Sequence, residues 1–430
     1  MRDHRPPRDL PPPAHRQNPR TRQQSAARGS PPRGSGLGAR LRGEGHEVAL
    51  AAPETFRELV TGSGLDFRPL PVDPRGTPTG ARDGGGSGLL ARAAAFIERL
   101  GDGLAEAAAP GADLLLLSTT TAPLGWHLAE AMDVPSLGVY LQPVLPTGEF
   151  PPVVGGNRSL GRRGNRAAGA LGQRVVDRLH AGAARRLRAR LGLPALSQGA
   201  RRRAVERADW PVLHGFSTAL VPRPGDWREG LRVVGNWWPH VPADHRLPAE
   251  VEGFLRSGPP PVLLGFGSMA AGQGERLGAL AVDALRQAGV RGVLQAGWAG
   301  IAEEADGVLS VGELPHALLL PRVAAVVHHA GAGTAAAALR AGIPSVPVPV
   351  LADQPFWAAR LARIGAATPP IRFADLTAAG LARAVRAAVG DPSLRAGAEA
   401  AARTMSEEDG AARVAQAVAA AADGRRELRA

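Results

Sequence analysis

Three short stretches hold residues whose types and spacing suit them to chemistry. In "VVHHAGAGT", an apolar run ends at His328-His329 and is followed by Ala330-Gly331-Ala332-Gly333-Thr334 and a helical Ala-rich segment. Gly331 and Gly333 lack a Cβ and let a ligand approach the backbone. Thr334 adds a hydroxyl, and the first-turn amides of a helix have no intrahelical acceptor, which suits an anion. His329, at the strand end, can donate to a phosphate oxygen. A second strand-to-turn corner, "VLLGFGSMA", places Gly267 and Ser268 before another helix. The third stretch, "VPVPVLADQPFW", carries Asp353-Gln354 roughly twenty residues after His329. A carboxylate beside a carboxamide can hold vicinal hydroxyls, the acid accepting and the amide both donating and accepting. Alone, each fragment also reads as ordinary loop chemistry. Together, an anion cradle and a hydroxyl-binding pair one helix and one strand later describe a nucleotide-sugar site. A dinucleotide site fits poorly, because G-x-G-x-x-G and its ribose-binding acid are missing.

The elements that must position these residues follow a strand–helix–strand rhythm. "HEVALAA", "GADLLLLSTTTA" and the run after Pro135 read as strands in the first half, with helices at 53–64 and from Gly125. Five apolar runs in the second half, from "PPVLLGFG" to "IPSVPVPV", alternate with helical segments. This is the pattern of parallel sheets covered on both faces, and it predicts an α/β protein of two doubly wound domains facing across a cleft. The expected divisions are an Arg/Pro-rich tail at 1–33, an N-terminal domain at 34–235, a Pro/Trp-rich linker at 236–259, a C-terminal domain at 260–405 and a closing helix at 406–430. Residues 151–175, rich in Gly and Arg, read as an adaptable loop ahead of a long helix.

Composition narrows the function classes. The 430 residues contain no Cys, which removes thiolate metal sites and cysteine nucleophiles. All 51 basic residues are Arg, so no lysine serves a phosphate or a Schiff base. Of the net charge of +12, residues 1–42 carry +8, with ten Arg against two Asp. A nucleic-acid partner is therefore not expected of the body. No run of eighteen apolar residues and no secretory signal appear, so a cytoplasmic location without membrane insertion is expected.

The stretch "HHAGAGTAAAALRAGIPSVPVPVLADQPFWAARL" resembles the donor-binding signature of family 1, UDP-glycosyltransferase-like glycosyltransferases, in the bacterial branch of sterol, macrolide and glycopeptide transferases. "LGARLRGEGHEVALAAPETF", "GWHLAEAMDVPSLGVYLQP" and "VVGNWW" extend the similarity over about residues 36–405. The resemblance implies a GT-B fold, with the acceptor on the N-terminal half and a UDP- or dTDP-sugar on the C-terminal half. It implies that His329, Gly331, Ala332, Gly333 and Thr334 contact the diphosphate, with Gly267 and Ser268 approaching from the neighbouring strand. Asp353 and Gln354 would hold the sugar, and the backbone near Leu314 would face the base. It further implies a hexosyl or deoxyhexosyl transfer, inverting and without a metal, to a hydroxyl of a lipophilic small molecule. No D-x-D motif is present.

The chain departs from that family at its start, where an apolar strand and a Gly-rich loop carrying the general base are expected. "PPPAHRQNPRTRQQ" has no apolar face, and its prolines remove ladder donors. Either the reading frame begins wrongly or the strand has been lost, and Ser35 stands where an Asp is expected. No catalytic base is assigned. His46 and His127 read as structural residues, His127 also as a lining residue of the acceptor pocket, and Trp298 as packing. Two other readings are an epimerase on the same fold and a nucleotide-sugar-binding protein that has lost catalysis; "ADQPFW" and "GWHLAEA" argue against the first.

Overall fold

The computed structural model describes residues 34–72, 86–241, 244–266, 273–296 and 305–429. Gly267, Ser268, Trp298 and the expected tail at 1–33 lie outside them. The first half runs α1 (Gly34–Gly43), β1 (Ala49–Pro53), α2 (Arg57–Gly62), β2 (Asp66–Leu70), α3 (Gly86–Ala108), β3 (Leu115–Leu117), α4 (Ala122–Met132), β4 (Ser136–Tyr140), α5 (Gly161–Arg190), α6 (Gln198–Arg207), β5 (Val212–His214) and β6 (Leu231–Val233). The second runs α7 (Ala249–Arg256), β7 (Val262–Gly265), α8 (Gly274–Ala288), β8 (Gly292–Gln295), β9 (Val308–Val311), α9 (His316–Leu319), β10 (Ala325–His328), α10 (Ala332–Arg340), β11 (Ser345–Pro347) and α11 (Gln354–Arg363). Helices α12 (Ala378–Gly390), α13 (Pro392–Ser406) and α14 (Gly410–Arg429) close the chain.

Among the described residues every pairing between these strands is parallel. The second half builds one sheet in the order β11-β10-β7-β8-β9. Its strands are short apolar runs because helices cover both faces. Leu264 and Val327 meet α8 and α12 on one side, while Leu263 and Val326 meet α7 and α9 on the other. Segment 236–259, expected as a linker, therefore contains a helix, α7, whose Val251 and Leu255 pack under that sheet.

The first half forms two sheets, β1-β2 and β3-β4-β5-β6, not joined by hydrogen bonds. They nevertheless share cores: Ala51 and Leu115 lie on one, Val48 and Leu116 on another. Helix α1 opens the described residues, and its Ser35 faces inward at 1% exposed. The chain then returns on itself. Val414, Ala415 and Val418 of α14 pack with Leu37 and Leu41 of α1.

The expected loop at 151–175 needs correction. From Gly161 onward it is the first half of the 30-residue helix α5. Glycines at 161, 164, 169 and 172 lower its intrinsic helix propensity, but tertiary contacts override them. Asn165 is buried, donating to the Gly148 carbonyl (3.2 Å) and accepting from the Leu160 amide (2.8 Å). A side chain at Gly169 would press on Pro146 at 3.1 Å.

Candidate functional site: a histidine–glycine corner and an acid–amide pair

Strand β10 ends at His328, and the two histidines part company there. His328 is fully buried, and its Nδ1 accepts the Ala330 amide at 3.1 Å. Burial, with His329 and His316 adding repulsion, lowers it to about 3, so it is a neutral structural brace. That brace holds Ala330 at φ +59°, a left-handed conformation that costs a non-Gly residue about 1 kcal/mol or more. The turn sends His329 out of the strand register toward Gly331.

His329 sits against Gly331. A Cβ at residue 331 would lie 2.5 Å from the His329 Nε2. A side chain there would push the imidazole aside, although the backbone (φ −61°, ψ 142°) would suit any residue. The His329 Nδ1 is buried with no hydrogen-bond partner, a state it shares with the Nε2 atoms of His127, His214 and His328. Burial lowers His329 to about 4, the Asp353 carboxylate opposing and His316 reinforcing that shift. At neutral pH it is an uncharged imidazole with one N–H to donate. Gly331 caps α10, so Gly333 and Thr334 lie in the first helical turn, where amides have no carbonyl four residues back.

Asp353 and Gln354 begin α11, after a second left-handed residue, Ala352 at φ +58°. Asp353 lies within electrostatic reach of His329, so the fold brings the two expected parts of the site together. Its Oδ2 accepts from the Trp357 indole at 2.8 Å. Gln354 is buried, and its Oε1 accepts from the amides of Val350 (2.8 Å) and Leu351 (3.1 Å). The carboxamide oxygen therefore closes its own loop, and only the Nε2 donor is left for a ligand. Leu314 packs its side chain against the core under β9, while Glu313 beside it remains exposed at the rim. Crowding by protein nonetheless raises the Glu313 carboxyl to about 7.

Two residues escaped the sequence reading. Trp357, one helical turn after Asp353, orients that carboxylate; the i, i+4 spacing in "DQPFW" was the available signal. Trp357 is buried and meets Phe216 at 5.9 Å between ring centres, while Phe356 meets Phe150 at 5.4 Å. The acid–amide pair is thus anchored on the seam between the two halves. His316, in "ELPHALL", contributes to the field at both neighbouring histidines.

On the N-terminal side, His127 is fully buried, its Nδ1 3.0 Å from Arg188, which also grips Glu130. It is a packing residue. A crevice of about 310 Å³ opens between the two halves, walled by Glu149, Phe150 and Leu220 on one side and Arg360 and Arg363 of α11 on the other.

Comparison with known proteins places the chain in a family. Residues 295–421 match the erythromycin biosynthesis protein CIII-like C-terminal domain. The chain is 37% identical over 376 residues to the O-mycaminosyltylonolide 6-deoxyallosyltransferase of Streptomyces fradiae, covering 83% of this chain and 86% of that protein. It is 30% identical over 405 residues to a sterol 3-beta-glucosyltransferase of Arabidopsis thaliana, 87% of this chain but 61% of that one. Among solved structures, the kitacinnamycin glycotransferase superposes with a TM-score of 0.67 at 22% identity over 92% of this chain and 97% of that chain. The glycosyltransferase VinC in complex with dTDP gives 0.63 at 22% identity over 90% and 95%. The architecture is GT-B, and with a relative matched at this level across most of both chains, this enzyme belongs to the family 1, UDP-glycosyltransferase-like glycosyltransferases.

Proposed function

We propose that the enzyme transfers a hexosyl or deoxyhexosyl group from a dTDP- or UDP-sugar to a hydroxyl of a lipophilic acceptor of the macrolide or sterol class. The observation that carries the donor side is the buried, unpartnered Nδ1 of a neutral His329 in contact with Gly331 and in reach of Asp353. The acceptor class is supported by the relatives, one a tylonolide deoxyallosyltransferase and one a sterol glucosyltransferase. A dTDP donor is supported by the nucleotide named in the VinC complex.

In this reading the diphosphate lies across the start of α10. Amides of Gly333 and Thr334, the Thr334 hydroxyl and the His329 N–H stabilise the charge that grows on it. Asp353 accepts from sugar hydroxyls while Trp357 fixes its rotamer, and the Gln354 Nε2 donates to another. The acceptor oxygen bonds to the anomeric carbon from the face opposite the diphosphate. The bond from that carbon to the leaving oxygen breaks with its electron pair on the diphosphate, giving inversion, and the acceptor proton passes to a base. No metal is needed where the helix start and His329 carry the charge. The domain division follows the two halves, with the acceptor on the first, which holds two sheets, and the donor on the second, which holds one. The test is transfer from dTDP- and UDP-hexoses to a macrolide aglycone and a sterol, with and without EDTA, reading the product anomer by NMR. Activity that EDTA abolishes, or a retained anomeric configuration, would contradict the mechanism.

A further inference from the structure

Among the described residues, six large apolar side chains stand out in solvent, and five fall in one stretch: Val154, Leu160, Leu171, Val175 and Val176, between 44% and 65% exposed. Val154 and Leu160 precede α5, and Val176 lies roughly 140° round the helix from Leu171; the helix period sets the other two. At 100° per residue, Leu171 and Val175 share a stripe with Arg174, Ala167 and Arg178, all exposed. The opposite side of α5 carries the buried Asn165, Gly169, His180, Ala183, Ala184 and Leu187. The N-terminal half of α5 therefore presents an apolar ridge edged by guanidinium groups, with its anchoring face turned inward.

The charge this stretch carries is mostly of one sign; among the described residues, Arg166 alone of its Arg residues pairs with an acid, Asp226 of a neighbouring loop. Residues 154–178 contain six Arg and a single acid, Asp177. Asp177 lies off the stripe, its carboxylate held by Arg201 and Arg202. A second copy of the chain seated ridge to ridge would bring two rows of Arg together, which like-charge repulsion opposes. An anionic lipid surface answers both features, because phosphates meet the Arg rows while the apolar side chains enter the headgroup region. The position is also informative. Glu149 and Phe150, just before this stretch, wall the crevice between the halves.

We propose that this face, Val154 to Arg178, seats the enzyme on an anionic phospholipid bilayer, α5 lying along the interface and the crevice opening beside it. The helix lies on the membrane and does not cross it; among the described residues no helix is long and apolar enough to span one. The proposal does not rest on the donor-site assignment, since it concerns a different surface.

The test is flotation of the full chain with vesicles of phosphatidylglycerol mixed into phosphatidylcholine, against phosphatidylcholine alone. The charge-preserving double variant Leu171→Ser/Val175→Ser changes exposed residues only. Expected are binding to the anionic vesicles that weakens with salt, and a roughly tenfold or greater rise in the lipid needed for half-binding by the variant, at an unchanged melting temperature. Should that variant melt early, Arg174→Gln/Arg178→Gln is read instead, with loss of the preference for anionic lipid expected. Unchanged vesicle binding by the folded variants would assign any attraction to other Arg-rich segments, such as residues 1–33, and overturn the proposal. So would no binding by the wild type, or a dimer that the variants dissociate without any effect of lipid.

Discussion

Replacing Gly331 by Ala adds one carbon at a place where the structure leaves none to spare. The new Cβ would lie 2.5 Å from Nε2, 3.2 Å from Cδ2 and 3.4 Å from Cε1 of His329. Ordinary contact begins near the last of these, so the ring must retreat by roughly an ångström, enough to break a hydrogen bond. Folding is little affected, because φ −61° and ψ 142° suit alanine and the atoms that give way end a side chain. The change should fall on binding. A hydrogen bond to a charged partner is worth about 1.5–3 kcal/mol, so the dTDP or UDP affinity of Gly331→Ala should drop roughly ten- to a hundredfold. Isothermal titration, with a thermal melt of the same sample, separates the two effects. A variant that melts like the wild type and binds the nucleotide equally well would refute the placement of His329 against the diphosphate.

Two further outcomes follow from buried and strained groups. His127, His214 and His328 are fully buried, and burial lowers them to about 4, about 3 and about 3. The unfolded chain binds protons on these groups below about pH 6.5 and the folded one does not. Their stabilisation is present above that value and is lost as pH falls, at up to about 4 kcal/mol per pH unit for the three together. Urea melts at pH 7, 6 and 5 should steepen this way, and a flat profile would place these imidazoles in contact with water. Ala352, exposed at φ +58°, should gain up to about 1 kcal/mol on replacement by glycine; a lower melting temperature for Ala352→Gly would argue that the turn is not left-handed.

Much of the candidate site's layout was legible because local chemistry repeats its spacing along the chain. The apolar run of β10, the glycines after it and Asp353-Gln354 after β11 all lie where the pattern puts them, and the fold brings His329 and Asp353 within electrostatic reach. What the pattern lacked was register in three dimensions. Nothing in "VVHHAG" separates a bracing His328 from an outward His329, since all four residues of β10 are buried. Gln354 looks like a free amide until the loop at 350–351 folds over its oxygen. Helix α5 was hidden by glycines that tertiary contacts at Asn165 and Gly169 outweigh. Helix α7 occupies only eight residues of a Pro-rich stretch. The return of α14 onto α1 depends on which apolar face meets which, and helical spacing alone does not say.

The central claim, that an uncharged imidazole at the start of α10 holds the donor diphosphate, meets its most direct test in titration of dTDP and UDP into wild type and His329→Ala. The account predicts a loss of affinity of about tenfold or more for both nucleotides in the variant, with the melting temperature nearly unchanged. Equal affinity in the two proteins would contradict it.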